Sequence, residues 1–143
     1  MDKDLKAKLV AERLLAQDPM SQWLGISILD VKEGYCKLQM TLRAEMMNGF
    51  NITHGGVLFS FADSALAFSC NNRNNFSVAQ DTFINFLKQS KAGDVIVAES
   101  REVHNGRSTG LYLITISNQQ GDQIGLFKGT CFRTGKPLFE DMQ

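Results

Sequence analysis

Apolar positions change their spacing several times along the chain, and each change marks an element. Through residues 2–17 they recur at helical intervals, with Leu5, Leu9 and Ala16 on one side, Val10, Leu14 and Leu15 close by, and lysines between. Asp18-Pro19 ends that helix, because the residue before a proline is pushed out of helical geometry. From Trp23 the spacing drops to two: Ile26, Ile28 and Asp30 alternate with Ser27, Leu29 and Val31. Glu33-Gly34 turns the chain, and Cys36, Leu38, Met40 and Leu42 alternate with Lys37, Gln39, Thr41 and Arg43. This pattern predicts a β-hairpin with one dry face. A glycine-containing loop over 44–55 follows. Residues 56–71 are then apolar on nearly every side, the mark of a buried helix.

Beyond that helix everything reads as strand. Residues 76–87 alternate, with Val78, Gln80, Thr82, Ile84 and Phe86 predicted on one face. Residues 94–103, 111–117 and 124–133 follow, joined by turns at His104-Asn105-Gly106-Arg107 and Gln120-Gly121-Asp122. The order is helix, two strands, one apolar helix, four strands. An α+β fold satisfies it if an antiparallel six-stranded sheet wraps the central helix, with the N-terminal helix outside. This order resembles the hotdog fold. Such a subunit leaves sheet edges and apolar helix surface open, which predicts association through edge strands.

At 143 residues the chain suits a single domain spanning 1–143. Fifteen basic residues balance fifteen acidic ones, so charge gives no case for a nucleic-acid partner or an anionic membrane surface. The mixed-charge start is no secretory signal, and the apolar run is shorter than the ~20 residues a membrane span takes. Cys36, Cys70 and Cys131 are widely spaced, with only His54 and His104 to accompany them. They read as free thiols buried like small hydrophobes, in a protein of the cytoplasm with no metal site.

Candidate chemistry is confined to one region. There is no GxSxG nucleophile elbow, no phosphate loop and no dinucleotide fingerprint. Ser60, Ser64 and Ser69 lie on the apolar helix and are expected to bond locally to backbone. What remains is Asn48, His54, Gly55, Gly56 and Asp63. Gly55-Gly56 stands where a loop becomes a helix, and the first amides of a helix lack internal partners. Glycine lets a ligand atom approach them, and the helix dipole adds positive character, so a carbonyl could be polarised there. Asp63 lies seven residues past Gly56, on the same side and roughly 10 Å along. That gap suggests that one protomer's oxyanion site is completed by its partner's carboxylate. A carboxylate in so apolar a helix is expected to accept hydrogen bonds from neighbouring backbone or hydroxyl groups. Bland roles also exist: a turn for Asn48, a cap for His54, tight packing for the glycines.

The stretch MMNGFNITHGGVLFSFADSALAFSCNN closely resembles the signature of hotdog acyl-CoA thioesterases of the phenylacetic-acid-degradation type. The similarity continues through INFLK, AGD, HNGRSTGLY, ITISNQQG and LFKGT and covers roughly residues 15–135. The resemblance implies hydrolysis of aryl-acetyl-CoA or a related acyl-CoA without a cofactor. It assigns Asp63 as general base or nucleophile and Asn48 to orienting water or thioester. His54 with the Gly55 and Gly56 amides would hold the carbonyl, and Arg107 and Lys128 would suit the CoA phosphates. It implies a homodimer or homotetramer with sites at the dimer interface. Two rivals share these features: a hotdog dehydratase or hydratase, and a non-catalytic acyl-CoA-binding protein. The retained acid and the His-Gly-Gly loop favour the hydrolase. Phe59, Phe61, Phe68, Phe83 and Phe86 are candidates for an aromatic-sized pocket, and the role of the N-terminal helix is open.

Overall fold

The computed structural model describes residues 1–142. Helix α1 (Lys3–Ala16) begins at Asp2, whose carboxylate accepts from the Asp4 and Leu5 amides, and buries Ala7, Val10 and Ala11. A second helix, α2 (Pro19–Leu24), was not expected from Asp18-Pro19. The proline does stop α1, but it also sits at the first turn of α2, where its missing N–H costs nothing. Asp18 caps α2 through the Ser21 amide, and Gly25 closes it with a left-handed φ of 77°.

The strands are β1 (Ser27–Lys32), β2 (Tyr35–Thr41), β3 (Asn75–Phe86), β4 (Val95–Asn105), β5 (Thr109–Ser117) and β6 (Gln123–Pro137). They form one antiparallel sheet in the order β1-β2-β4-β5-β6-β3. Helix α3 (Gly55–Cys70), within a residue of its predicted bounds, packs inside the sheet. Phe61, Ala62, Ala65, Leu66 and Phe68 of α3 meet Leu38, Met40, Ile96, Ile114 and Phe127 of the strands in one core. The close approach depends on Gly129 of β6, where a Cβ would stand 2.6 Å from Leu66 Cδ2. This is the hotdog arrangement.

The predicted dry face is buried, at Cys36, Leu38 and Met40 of β2 and at Leu42 just past its end. Strand β3 departs from its predicted alternation. Bulges between Asn75 and Ser77 and between Ala79 and Asp81 shift its register. Val78 therefore turns outward, while Ile84 packs on the core. The β4–β5 turn also lies further on than expected: β4 runs through Asn105, and the Gly106 amide bonds the Thr109 carbonyl at 2.8 Å.

Past the C-terminus of α3, Arg73 and Glu102 form a two-point pair, one contact being Arg73 Nη2 to Glu102 Oε1 at 2.9 Å. Tyr112 Oη donates to Glu102 Oε2 at 2.7 Å, and buried Arg133 reaches both Asn105 and Tyr112. All three cysteines are buried and unbridged.

Candidate active site

The loop before α3 is held by local bonds that also set its chemistry. Asn48 Oδ1 accepts from the Phe50 amide at 2.9 Å and the Ile52 amide at 3.4 Å. Its oxygen is thus committed to the turn. The side-chain NH2 makes no bond to a described residue and keeps both donors. Thr53 is pinned to the β3–β4 loop twice, by its amide to the Ser90 carbonyl and by the Ser90 hydroxyl to Thr53 Oγ1 at 2.8 Å.

His54 is the N-cap of α3, and its Nδ1 accepts from the Gly56 amide at 2.9 Å. This corrects the expectation that both glycine amides stand free. Gly56 is satisfied within the chain, and of the two glycines Gly55 alone presents an N–H with no partner among the described residues. With Nδ1 accepting, the proton of a neutral His54 ring lies on Nε2, which faces away from the cap.

Gly55 and Asn48 line the same groove, a cavity of about 330 Å³ whose walls include Leu58, Phe86, Leu87 and Lys88. Phe86 ends β3 and lies over Gly55, so close that a Cβ there would be 2.8 Å from its Cζ. A second, more polar groove of about 450 Å³ continues from it past Lys88 and Ser90 to Lys91 and Asn118. These lysines escaped the sequence reading. The signal available was their place in the loop after the strand ending at Phe86: Lys88 closes the INFLK stretch and Lys91 lies three residues on.

Asp63 is half-buried two turns along α3 and lies outside that groove. The donors expected around it are absent: among the described residues none hydrogen-bonds its carboxylate. Burial, and secondarily the negative charge of Asp18, hold its carboxyl above the usual aspartate range. The chain therefore offers a donor pair in one place and a bare carboxylate in another. Arg107 sits in the exposed β4–β5 turn, and Lys128 points to the outer face of the sheet beside Phe83 and Leu111. Neither lines the Gly55 groove.

Of the phenylalanines, Phe61 and Phe68 are core, and Phe59 packs edge-on to Phe127 at 5.2 Å. Phe83 is on the outer face, which leaves Phe86 as the one at the groove. Ser60 and Ser69 bond locally as expected, Ser69 also meeting Ser100. Ser64 does not: its hydroxyl meets Ser21 of α2 at 2.7 Å. No described cluster of three or more histidine, cysteine or acidic residues is placed to hold a metal.

A sheet wrapped on one buried helix, with an unpartnered peptide N–H at that helix's start and an unpaired acid along it, is the arrangement of a hotdog protein. Comparison with known proteins makes the class specific. Residues 50–124 match the Thioesterase superfamily, and the chain belongs to that family of thioester hydrolases. It is 40% identical over 130 residues to the acyl-coenzyme A thioesterase PaaI of Escherichia coli K12, covering 91% of this chain and 93% of that protein. The structure of the E. coli PaaI protein from the phenylacetic acid degradation operon superposes with a TM-score of 0.93 at 38% identity. That match covers 95% of this chain and 99% of that one. A hypothetical thioesterase protein from Streptococcus pneumoniae TIGR4, solved with coenzyme A, matches at 26% identity and a TM-score of 0.82, over 87% of this chain and 98% of that one.

Proposed function

We propose that the protein hydrolyses aryl-acetyl-CoA thioesters, phenylacetyl-CoA or its ring-hydroxylated forms, to the free acid and CoA in aromatic catabolism in the cytoplasm. The observation that carries this reading is the division of labour along α3. Gly55 with its free N–H and Asn48 with its free NH2 line one groove, while Asp63 stands bare two turns away.

The thioester carbonyl oxygen accepts from the Gly55 amide, with Asn48 orienting the thioester or the water. His54 serves by capping Gly56, which fixes the turn that aims the Gly55 N–H outward. Asp63 takes a proton from water as the water oxygen bonds the carbonyl carbon. Collapse of the tetrahedral adduct breaks the C–S bond, and the proton passes to the departing CoA sulfur. No redox change occurs, so no cofactor is required. Lys88 and Lys91 of the adjoining groove suit the CoA phosphates better than Arg107 and Lys128, which serve only if another protomer brings them close.

The donors and the acid meet across a dimer. Strand β3 is 12 residues long, pairs among the described residues only with β6, and exposes Phe76, Val78, Phe83 and Phe86 at an open edge of the sheet. Such an edge requires a partner. If the C-terminal halves of two β3 strands pair antiparallel about a two-fold near Phe83, the Phe86–Gly55 end of one protomer comes beside the middle of the other's β3, and its Asp63 stands midway along the helix that β3 covers. Two such dimers then pair as a tetramer.

The test is thiol release from phenylacetyl-, hydroxyphenylacetyl- and straight-chain acyl-CoAs. Asp63→Asn should lose at least ~10²-fold in kcat, the scale of a lost base. Mixing Asp63→Asn protomers with Gly55→Ala protomers should restore about a quarter of wild-type activity, since half the dimers are mixed and each holds one intact site. Hydrolysis by Asp63→Asn at the wild-type rate overturns the role of the acid. An inactive mixture overturns the shared site.

A further inference from the structure

Two carboxylates associated with the middle of α3, one on the helix and one joined to it through Ser21 and Ser64, differ in their hydrogen bonding. Both oxygens of Asp18 are engaged by one residue: Oδ1 accepts from the Ser21 amide at 3.0 Å, and Oδ2 from the Ser21 hydroxyl at 2.6 Å. Because the Ser21 proton goes to Asp18, the Ser21 oxygen must accept from Ser64, whose Oγ is 2.7 Å away. Ser21 is wholly buried and Ser64 nearly so. A two-hydroxyl relay therefore runs from α3, at the residue next to Asp63, to the carboxylate that caps α2. Asp63 itself has no such partner.

We infer that Asp18 is a positioning residue for hydrolysis: held by the Ser21–Ser64 pair, it stands as a fixed, non-reacting negative charge that strengthens Asp63 as a base. This rests on the proposed role of Asp63. Two acids placed in contrasting environments separate their duties: Asp18 is saturated with donors, and the bare Asp63 is left to exchange protons. The relay also gives α2 a function that packing alone does not require, since an apolar pair in place of the buried serines would join the helices without two polar groups to satisfy.

The charge environment of Asp63 is simple. Of the described residues only Asp18, from α2, acts on it as a charge. On α3 itself the Cys70 thiol lies seven residues on, and Cys131 and Arg133 of β6 gather around that thiol. Among the described residues, no charge of α1 or of the strands shifts the Asp63 carboxyl.

The test is the pH dependence of kcat/KM for thioester hydrolysis in wild type, Asp18→Asn, Asp18→Ser and Asp18→Glu. Asparagine and serine cap helices about as well as aspartate, so α2 is retained while the charge is removed. Removing a nearby like charge makes Asp63 easier to ionise. The acid limb of both neutral variants should therefore move to lower pH, and their plateau rate should fall as the base weakens. Asp18→Glu should return the limb toward wild type. A carbon-13 NMR titration of the Asp63 carboxyl should show the same displacement with no substrate present. Acid limbs and NMR titrations that coincide with wild type overturn the inference, even if thermal stability or plateau rate changes. A full NMR displacement in a protein that hydrolyses no acyl-CoA would instead overturn the proposed function while leaving the coupling of the two acids intact.

Discussion

Replacing Gly55 by alanine separates a role in packing from one in holding the substrate. The new Cβ would lie 2.8 Å from Phe86 Cζ and 3.3 Å from both Cε atoms. Carbon atoms in contact settle at ~3.5–4.0 Å, so the ring or the turn must move by about 1 Å. Phe86 is more than half exposed, and its ring can swing away into the groove it lines. Alanine also favours the helix over glycine by up to ~1 kcal/mol. The two effects oppose each other, and stability should change by no more than about 1 kcal/mol, or a few degrees in Tm. Catalysis has no such compensation. The methyl and the displaced ring occupy the space above the Gly55 amide, and an error of ~1 Å at a reacting carbonyl costs ~10²-fold. That matches the ~10²–10³-fold loss on removing an oxyanion donor. The assay is kcat and KM by thiol release beside Tm by circular dichroism. A large fall in kcat with Tm nearly unchanged is expected. Wild-type kcat in a folded Gly55→Ala protein would refute the assignment of that amide to the carbonyl.

Other expectations follow from single contacts. His54→Ala removes the acceptor for the Gly56 amide and should cost ~1 kcal/mol, whereas His54→Asn should recover most of it as a cap; equal Tm for all three proteins would show that the cap contributes nothing. Glu102→Gln leaves the buried Arg133 without its nearby counter-charge and Arg73 with Glu33 alone, and should destabilise by ~3 kcal/mol, read by chemical denaturation. Burial alone would raise the Glu102 carboxyl, but hydrogen bonds from Arg73 and Tyr112 and the nearby guanidinium charges hold it below the usual glutamate range. A folded-state value depressed below the unfolded one contributes stability that is present above the unfolded value, ~4.3, and is lost as pH falls through the folded one. Wild-type Tm should therefore decline on the acid side, and Glu102→Gln should flatten that decline. An unchanged acid slope in the variant would count against the network.

Reading the residues in order recovers much of this molecule, and the departures have physical causes. The buried face of β2 and the extent of α3 follow from side-chain periodicity, a local property. The second helix was also written locally, as an aspartate cap, a first-turn proline and a closing glycine, but a proline after a helix reads first as a stop. The outward turn of Val78 had no local mark, because a bulge is a mismatch between two strands and is defined only once β3 meets β6.

The site divides the same way. The residue types Asn48, His54, Gly55, Gly56 and Asp63 were legible from their spacing, because a helix start and a two-turn interval are matters of backbone geometry. Their partners were not. That His54 takes the Gly56 amide, that Asn48 keeps only its donors free, and that Lys128 faces away from the groove depend on rotamers and sheet faces settled by packing. That Asp63 is bare while Asp18 is saturated depends on a helix docking through two serines 43 residues apart. By itself the chain determined which groups are available and along which element they stand, since short-range sterics and periodicity act on neighbours in sequence. Only the tertiary structure decided which polar atoms are consumed by the fold and which remain for chemistry, because hydrogen bonds and burial are shared between residues that the sequence keeps apart.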